Sequence, residues 1–183
     1  MYQVGDYIVY GAQGVCKVLE VGTKEHTDDF DDGFDVWDEE EEDDTLYYTL
    51  SPCYEKDVRI YTPIDNEKVV MRPVMEKEMT LKLISDIKDI DTLGITDEKM
   101  RDQVFKEALK TGDCRQLVKV IKTLNERRRV RIMNGKKMTT SDENFYKKAE
   151  SRLYGEIAIS LGISADAAKE YVAEQVGNKN NKE

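Results

Sequence analysis

Histidine is almost missing from this chain. His26 is the only one in 183 residues, and it sits beside a strongly acidic stretch, where a solvated loop position is the simplest account. Without a second histidine, metal sites and nucleophile-base pairs lose most of their usual components. The phosphate-cradling GxxxxGK[ST], the dinucleotide GxGxxG and the GxSxG nucleophile elbow are missing too. The chain reads as a non-enzyme, with no metal and no cofactor implied. Cysteine is sparse: Cys16, Cys53 and Cys114 are odd in number and never form a CxxC pair. That excludes a disulfide framework and a zinc ribbon, and leaves reduced, partly buried thiols as the expectation. No apolar run approaches the roughly 18 residues a membrane span needs. The opening MYQVGDYIVY lacks the basic start and apolar core of a signal peptide, so a cytoplasmic location is expected.

Positive charge is scarce as well, since the net charge is -10 and the sequence pI about 4.8. The deficit is local. Residues 1–75 carry 19 acidic and 6 basic residues, whereas residues 76–183 carry 19 acidic and 22 basic. Nearly all of the negative excess lies in DDFDDGFDVWDEEEEDD, residues 28–44, with 12 acidic residues and no basic one. The opposite holds from Arg115 to Lys137, where nine basic residues face Glu126 alone. An acidic insert and a basic stretch are thus set into an otherwise balanced chain.

The two halves also differ in periodicity. DYIVYG (6–11), VCKVLEV (15–21), TLYYTL (45–50), VRIYTP (58–63) and KVVMRP (68–73) are short, β-branched or aromatic, and separated by turn residues, which predicts five strands and a small barrel. The acidic insert then falls between the second and third strands, in a connection far longer than an ordinary hairpin loop. After Pro73 the pattern becomes helical. Thr96 is the expected cap of a helix through DEKMRDQVFKEALK, stopped at Gly112, and Asp113 caps the next. Leu117, Val118, Ile121 and Leu124 then form a helical apolar stripe. Thr140 and Glu143 fit a capping box for a helix running to Gly162, and Ser164 caps a last one to about Val176. Residues 77–90 read as helical, with a linker-like SDIKDIDTLG. The expected organisation is α+β: residues 1–75 as the barrel with its insert at 28–44, residues 76–177 as a compact all-α domain, and residues 178–183 as a disordered tail.

The insert has one motif to weigh. Asp28, Asp32, Gly33 and Glu39 fall at positions 1, 5, 6 and 12 of a calcium loop, but Phe30 occupies position 3 and no helices flank it; the match is poor. A solvated loop is simpler, and the interleaving of Phe30, Phe34 and Trp37 with acid also fits docking onto a basic surface. In the basic stretch, Arg127, Arg128, Arg129, Arg131, Lys136 and Lys137 suit phosphate contacts, because a guanidinium donates in plane and bidentately. The bland alternative is an amphipathic helix whose polar face is cationic.

Four segments in order are familiar together. YQVGDYIVYGAQGVCKVLEV, TPIDNEKVVMRPV, LKTGDCRQLVKVIKTL and AESRLYGEIAISLGIS resemble the CarD/CdnL family of bacterial RNA polymerase-binding regulators, over residues 2–176 apart from the insert. The resemblance implies a Tudor-like N-terminal barrel that docks on the polymerase β subunit. It also implies a helical domain that contacts promoter DNA at the upstream edge of the transcription bubble, stabilising open complexes. Carried onto this chain, the polymerase face includes Lys24, Arg59 and Tyr61, with Tyr61 standing where some relatives have arginine. Strand pairing at an edge depends little on side chains and remains available there. The tryptophan that relatives place before the helical domain's SGD-like junction is absent, since Trp37 is the only one. Leu93 and Ile95 are the apolar candidates for a bubble-edge wedge, and Glu143 and Asn144 stand where some relatives have basic residues. The competing expectation is a protein-interaction adaptor that never meets nucleic acid.

Overall fold

The structure, a computed structural model, describes residues 1–23, 45–55 and 57–178. Lys24, the acidic insert 28–44 and residues 179–183 of the expected tail lie outside the described residues.

Among the described residues five strands make one antiparallel sheet in the order β4-β3-β2-β1-β5. They are β1 (Tyr7–Tyr10), β2 (Gly14–Thr23), β3 (Leu46–Pro52), β4 (Ile60–Pro63) and β5 (Met71–Pro73). A single 3-10 turn, Gly11–Gln13, joins β1 to β2. Gly14 follows it at φ +78, a conformation that suits glycine, and returns the chain so that Tyr10 pairs with Gly14. The register then sets Ile8 opposite Cys16 and Val9 opposite Val15. Successive side chains point to opposite faces, yet all four are buried, so both faces of this part of the sheet are covered. Ile8, Cys16, Val18, Tyr48 and Leu50 form the sheet's own core, while Val9 turns towards the backbone of Gly112. An irregularity between Val18 and Glu20 shifts the β2–β3 register, which bends the strand at Leu19.

The expected barrel does not close. β4 and β5 are the two edges, and no ladder joins them among the described residues. They contribute four and three residues, and barrel closure needs neighbouring strands tilted along a shared length.

Among the described residues five α-helices follow: α1 (Lys77–Asp86), α2 (Arg101–Lys110), α3 (Cys114–Met133), α4 (Thr140–Leu161) and α5 (Ala165–Asn178). The α3 stripe is buried as its spacing predicts, with Leu117, Val118, Ile121 and Leu124 in a core shared with Phe105, Leu109, Leu153, Ile157 and Val172. Asp113 caps α3 through Arg115 N–H, and Ser164 Oγ accepts from Ala167 N–H at the start of α5. Two caps differ from expectation by one residue. Asp97, not Thr96, accepts from Lys99 N–H, and it caps a 3-10 turn, Glu98–Met100, that leads into α2; Thr139, not Thr140, accepts from Asp142 N–H. Asp is the stronger cap of the first pair and the two residues of the second are both Thr, so propensity favours Asp97 and the incoming chain decides for Thr139. The linker-like segment is packed rather than loose: Ile87–Asp89 forms a 3-10 turn and Ile90 is buried. Lys122 Nζ donates to the carbonyls of Ile87, Lys88 and Ile90, hanging that turn on the middle of α3.

Candidate functional site

The basic stretch forms the last half of α3 and the turn after it, and its six predicted side chains divide into two sets. Arg127 is engaged inside the protein. Its fork meets Glu98 at 2.5 and 3.1 Å, and its Nε lies 3.5 Å from the fully buried Asp142. The other Asp142 oxygen lies 3.5 Å from Arg101 Nε, and Arg101 also donates to Asp102 at 2.8 Å. These contacts raise the Arg127 pKa, chiefly through the hydrogen bond to Glu98. The same bond, more than the charge beside it, holds the Glu98 carboxyl below its ordinary value. Arg131 donates from Nε to the Lys137 carbonyl at 2.7 Å, closing the turn that Asn134 and Gly135 begin.

Arg128, Arg129, Lys136 and Lys137 are exposed, and their side chains form no ion pair among the described residues. Between them stand Val130, Ile132 and Met133, also exposed. The α3 tip is therefore four available cations interleaved with apolar side chains.

Leu93 and Ile95 meet this region. Both are half-buried against the helical core, and Leu93 N–H donates to Thr123 Oγ1 at 2.8 Å. With Arg127, Val130 and Arg131 they line a hollow of about 360 Å³. The two predicted sets, cationic and apolar, thus share one surface, although Leu93 and Ile95 are packed at its base rather than projecting from it.

On the sheet, Arg59 and Tyr61 are exposed at the β4 edge, Arg59 just before the strand and Tyr61 within it. Tyr61 pairs with Thr49 of β3, and the outer side of β4 carries no ladder among the described residues. Unpaired N–H and C=O groups on such an edge accept an added strand.

Sequence reasoning missed the joint between sheet and helices. Arg72 of β5 forms a fork with the buried Glu156 of α4 at 2.6 and 2.8 Å, and also donates to the Gly112 carbonyl. Glu156 accepts in addition from Met75 N–H at 3.0 Å and from the Cys114 thiol at 3.1 Å. Burial first, and then the Glu156 charge, push the Cys114 thiol well above its ordinary pKa. Beside this cluster the Tyr54 hydroxyl donates to the Gly155 carbonyl at 3.0 Å. No local pattern marks Arg72 or Glu156, because their partners lie some 80 residues apart in the chain.

An antiparallel sheet left open among the described residues, joined through buried charge to a helical region with a cationic tip, defines an α+β protein. Family profiles carry the assignment further: the CarD-like/TRCF RID domain matches residues 2–75, and the CarD C-terminal domain matches residues 83–173. The chain belongs to the CarD-like family of RNA polymerase-interacting transcription regulators, a non-enzymatic family. No curated protein matches it significantly. No helix among the described residues is long and apolar enough to cross a membrane.

Proposed function

We propose that this protein docks on the RNA polymerase β subunit through a Tudor-like N-terminal domain, residues 1–75, and touches promoter DNA through a helical domain, residues 76–177, thereby altering open-complex lifetime in the cytoplasm. The observation that carries this reading is the presence, in one CarD-like chain, of a β4 edge flanked by Arg59 and Tyr61 and of four cations at the α3 tip, edge and cations alike without a partner among the described residues. Lys24 belongs to the same proposed polymerase face. Polymerase docking tethers the helical domain near the DNA, so weak phosphate contacts suffice. Among the basic residues, Arg128, Arg129, Lys136 and Lys137 are the phosphate contacts; Arg127 and Arg131 hold the tip in place. Leu93 and Ile95 form an apolar floor for the bubble edge.

The test is the lifetime of promoter open complexes on bacterial RNA polymerase, with and without the protein, at two salt concentrations. A longer, salt-sensitive lifetime is expected. Arg128→Ala with Arg129→Ala should shorten it and flatten its salt dependence by about 0.9 log units per log salt for each phosphate that is no longer neutralised. Unchanged lifetime despite polymerase binding would replace this reading with the adaptor, which the internal engagement of Arg127 and Arg131 favours.

A further inference from the structure

Where sheet meets helices there is a second concentration of positive charge, formed by residues other than those of the α3 tip. Two hollows of about 590 and 360 Å³ adjoin there, sharing Ala12, Lys148 and Arg152 on their walls. Lys147 opens on the first, and Lys106 and Lys110 on the second. The carboxylates on these walls are Glu55 and Asp102, and Asp102 is already engaged by Arg101 and by Ser141 Oγ at 3.2 Å. Among the described residues, five cations thus face one carboxylate, Glu55, that no hydrogen bond or ion pair engages.

Arg152 is the unusual member. The β1–β2 turn lies so close to it that a Cβ on Gly14 would stand 3.0 Å from its Cγ. Its Nη1 is buried and meets no acceptor, and the side chain makes no hydrogen bond or ion pair among the described residues. Burial lowers its pKa, and only the charge of Glu55 works the other way. Buried donors without acceptors are rare. An anion in the cleft would give Nη1 the acceptor it lacks and offset the charge of a half-buried guanidinium.

We infer that this cleft binds a small phosphoryl-bearing polyanion, of the size of inorganic tripolyphosphate or a nucleoside triphosphate. A guanidinium fork sharing its walls with four lysine ammonium groups suits clustered phosphoryl oxygens. A hollow admits a compact anion, whereas a duplex rests on a projecting surface such as the α3 tip. Because the chain as a whole carries -10, its long-range field repels anions, and binding depends on the local arrangement. The ligand would touch the β1–β2 turn at Ala12 and Gln13 as well as α2 and α4, bridging sheet and helices. The inference is independent of whether the protein meets DNA.

The full-length protein is titrated by calorimetry at low salt with sodium tripolyphosphate, with ATP, and with a short DNA duplex. Saturable one-site binding of at least one small anion is expected. Lys147→Glu with Lys148→Glu, both exposed positions that leave the core untouched, should weaken it by about tenfold or more. Arg152→Met should do the same, while Arg128→Ala with Arg129→Ala should leave it unchanged. The inference fails if neither anion binds, if binding survives Lys147→Glu with Lys148→Glu, or if the duplex alone binds and that pair of substitutions abolishes it.

Discussion

Helix α4 carries two buried carboxylates, Glu156 and Asp142, with exposures of 2% and 0%, and they are held in different ways. Glu156 is saturated with donors: both terminal nitrogens of Arg72, the Met75 amide and the Cys114 thiol. Neither Asp142 oxygen receives a hydrogen bond among the described residues; each faces a guanidinium Nε at 3.5 Å, one from Arg101 and one from Arg127. The first arrangement is directional and welds sheet to helices. The second is a diffuse attraction that draws α2 and α3 onto the start of α4. Carboxylates of similar burial can thus fix a joint or merely bias one, depending on whether donors reach hydrogen-bonding distance.

Removing Glu156 should break this contrast most strongly. Glu156→Ala leaves Arg72 largely buried without its partner and should lower stability by about 3–5 kcal/mol in urea unfolding. Glu156→Gln, which keeps an acceptor, should lose less. A loss below about 1 kcal/mol for the alanine variant would show that the joint does not rest on this pair. Next in size is Gly155→Ala. Its new Cβ would collide with the Tyr54 ring, and overpacking of that kind costs about 1–3 kcal/mol. Combining it with Tyr54→Ala should recover part of the loss, giving a non-additive cycle. Asp142→Asn should cost less than Glu156→Ala, about 1–2 kcal/mol, because Arg101 and Arg127 keep Asp102 and Glu98. Its signature is faster amide exchange at the start of α4 and the end of α3. A loss equal to that of Glu156→Ala would erase the distinction.

The smallest effect concerns pH. The Glu98 carboxyl is depressed in the folded state, first by its Arg127 hydrogen bond. Its contribution is therefore complete above the unfolded-state value and disappears as pH falls through the lower folded value. Glu98→Gln should be slightly less stable than the parent near neutrality, and the two should converge in acid. Because Glu98 is exposed, salt should shrink the difference.

What the sequence discloses depends on how local the cause is. The α3 stripe follows from a 3.6-residue period, and the five strands from alternation and turn residues, so both were legible without coordinates. The division of the arginines was not. Arg127 and Arg128 are neighbours of the same type, and only the arrival of Glu98 and Asp142 from other segments engages the former. The Glu156 joint was hidden for the same reason, since Cys114 and Arg72 converge on it from separate elements. The open sheet reflects the short pairing lengths of β4 and β5, which composition cannot report. Leu93 and Ile95 are apolar and stand near the expected place, but the same property packs them against the helical core.

Helix α3 begins at Cys114, whose thiol sits in the Glu156 joint, and runs 20 residues to Met133. At 1.5 Å per residue that is a rod of about 30 Å. Rooted at the joint, it acts as a lever arm: an angular error of about 10° at its base would sweep the tip through about 5 Å, more than the 3.4 Å axial rise per nucleotide of a DNA strand. The aim of Arg128 and Arg129 is therefore set from both ends of the helix, by how stiffly Glu156 grips its neighbours at the base and by the Arg127 contacts with Glu98 and Asp142 near the tip.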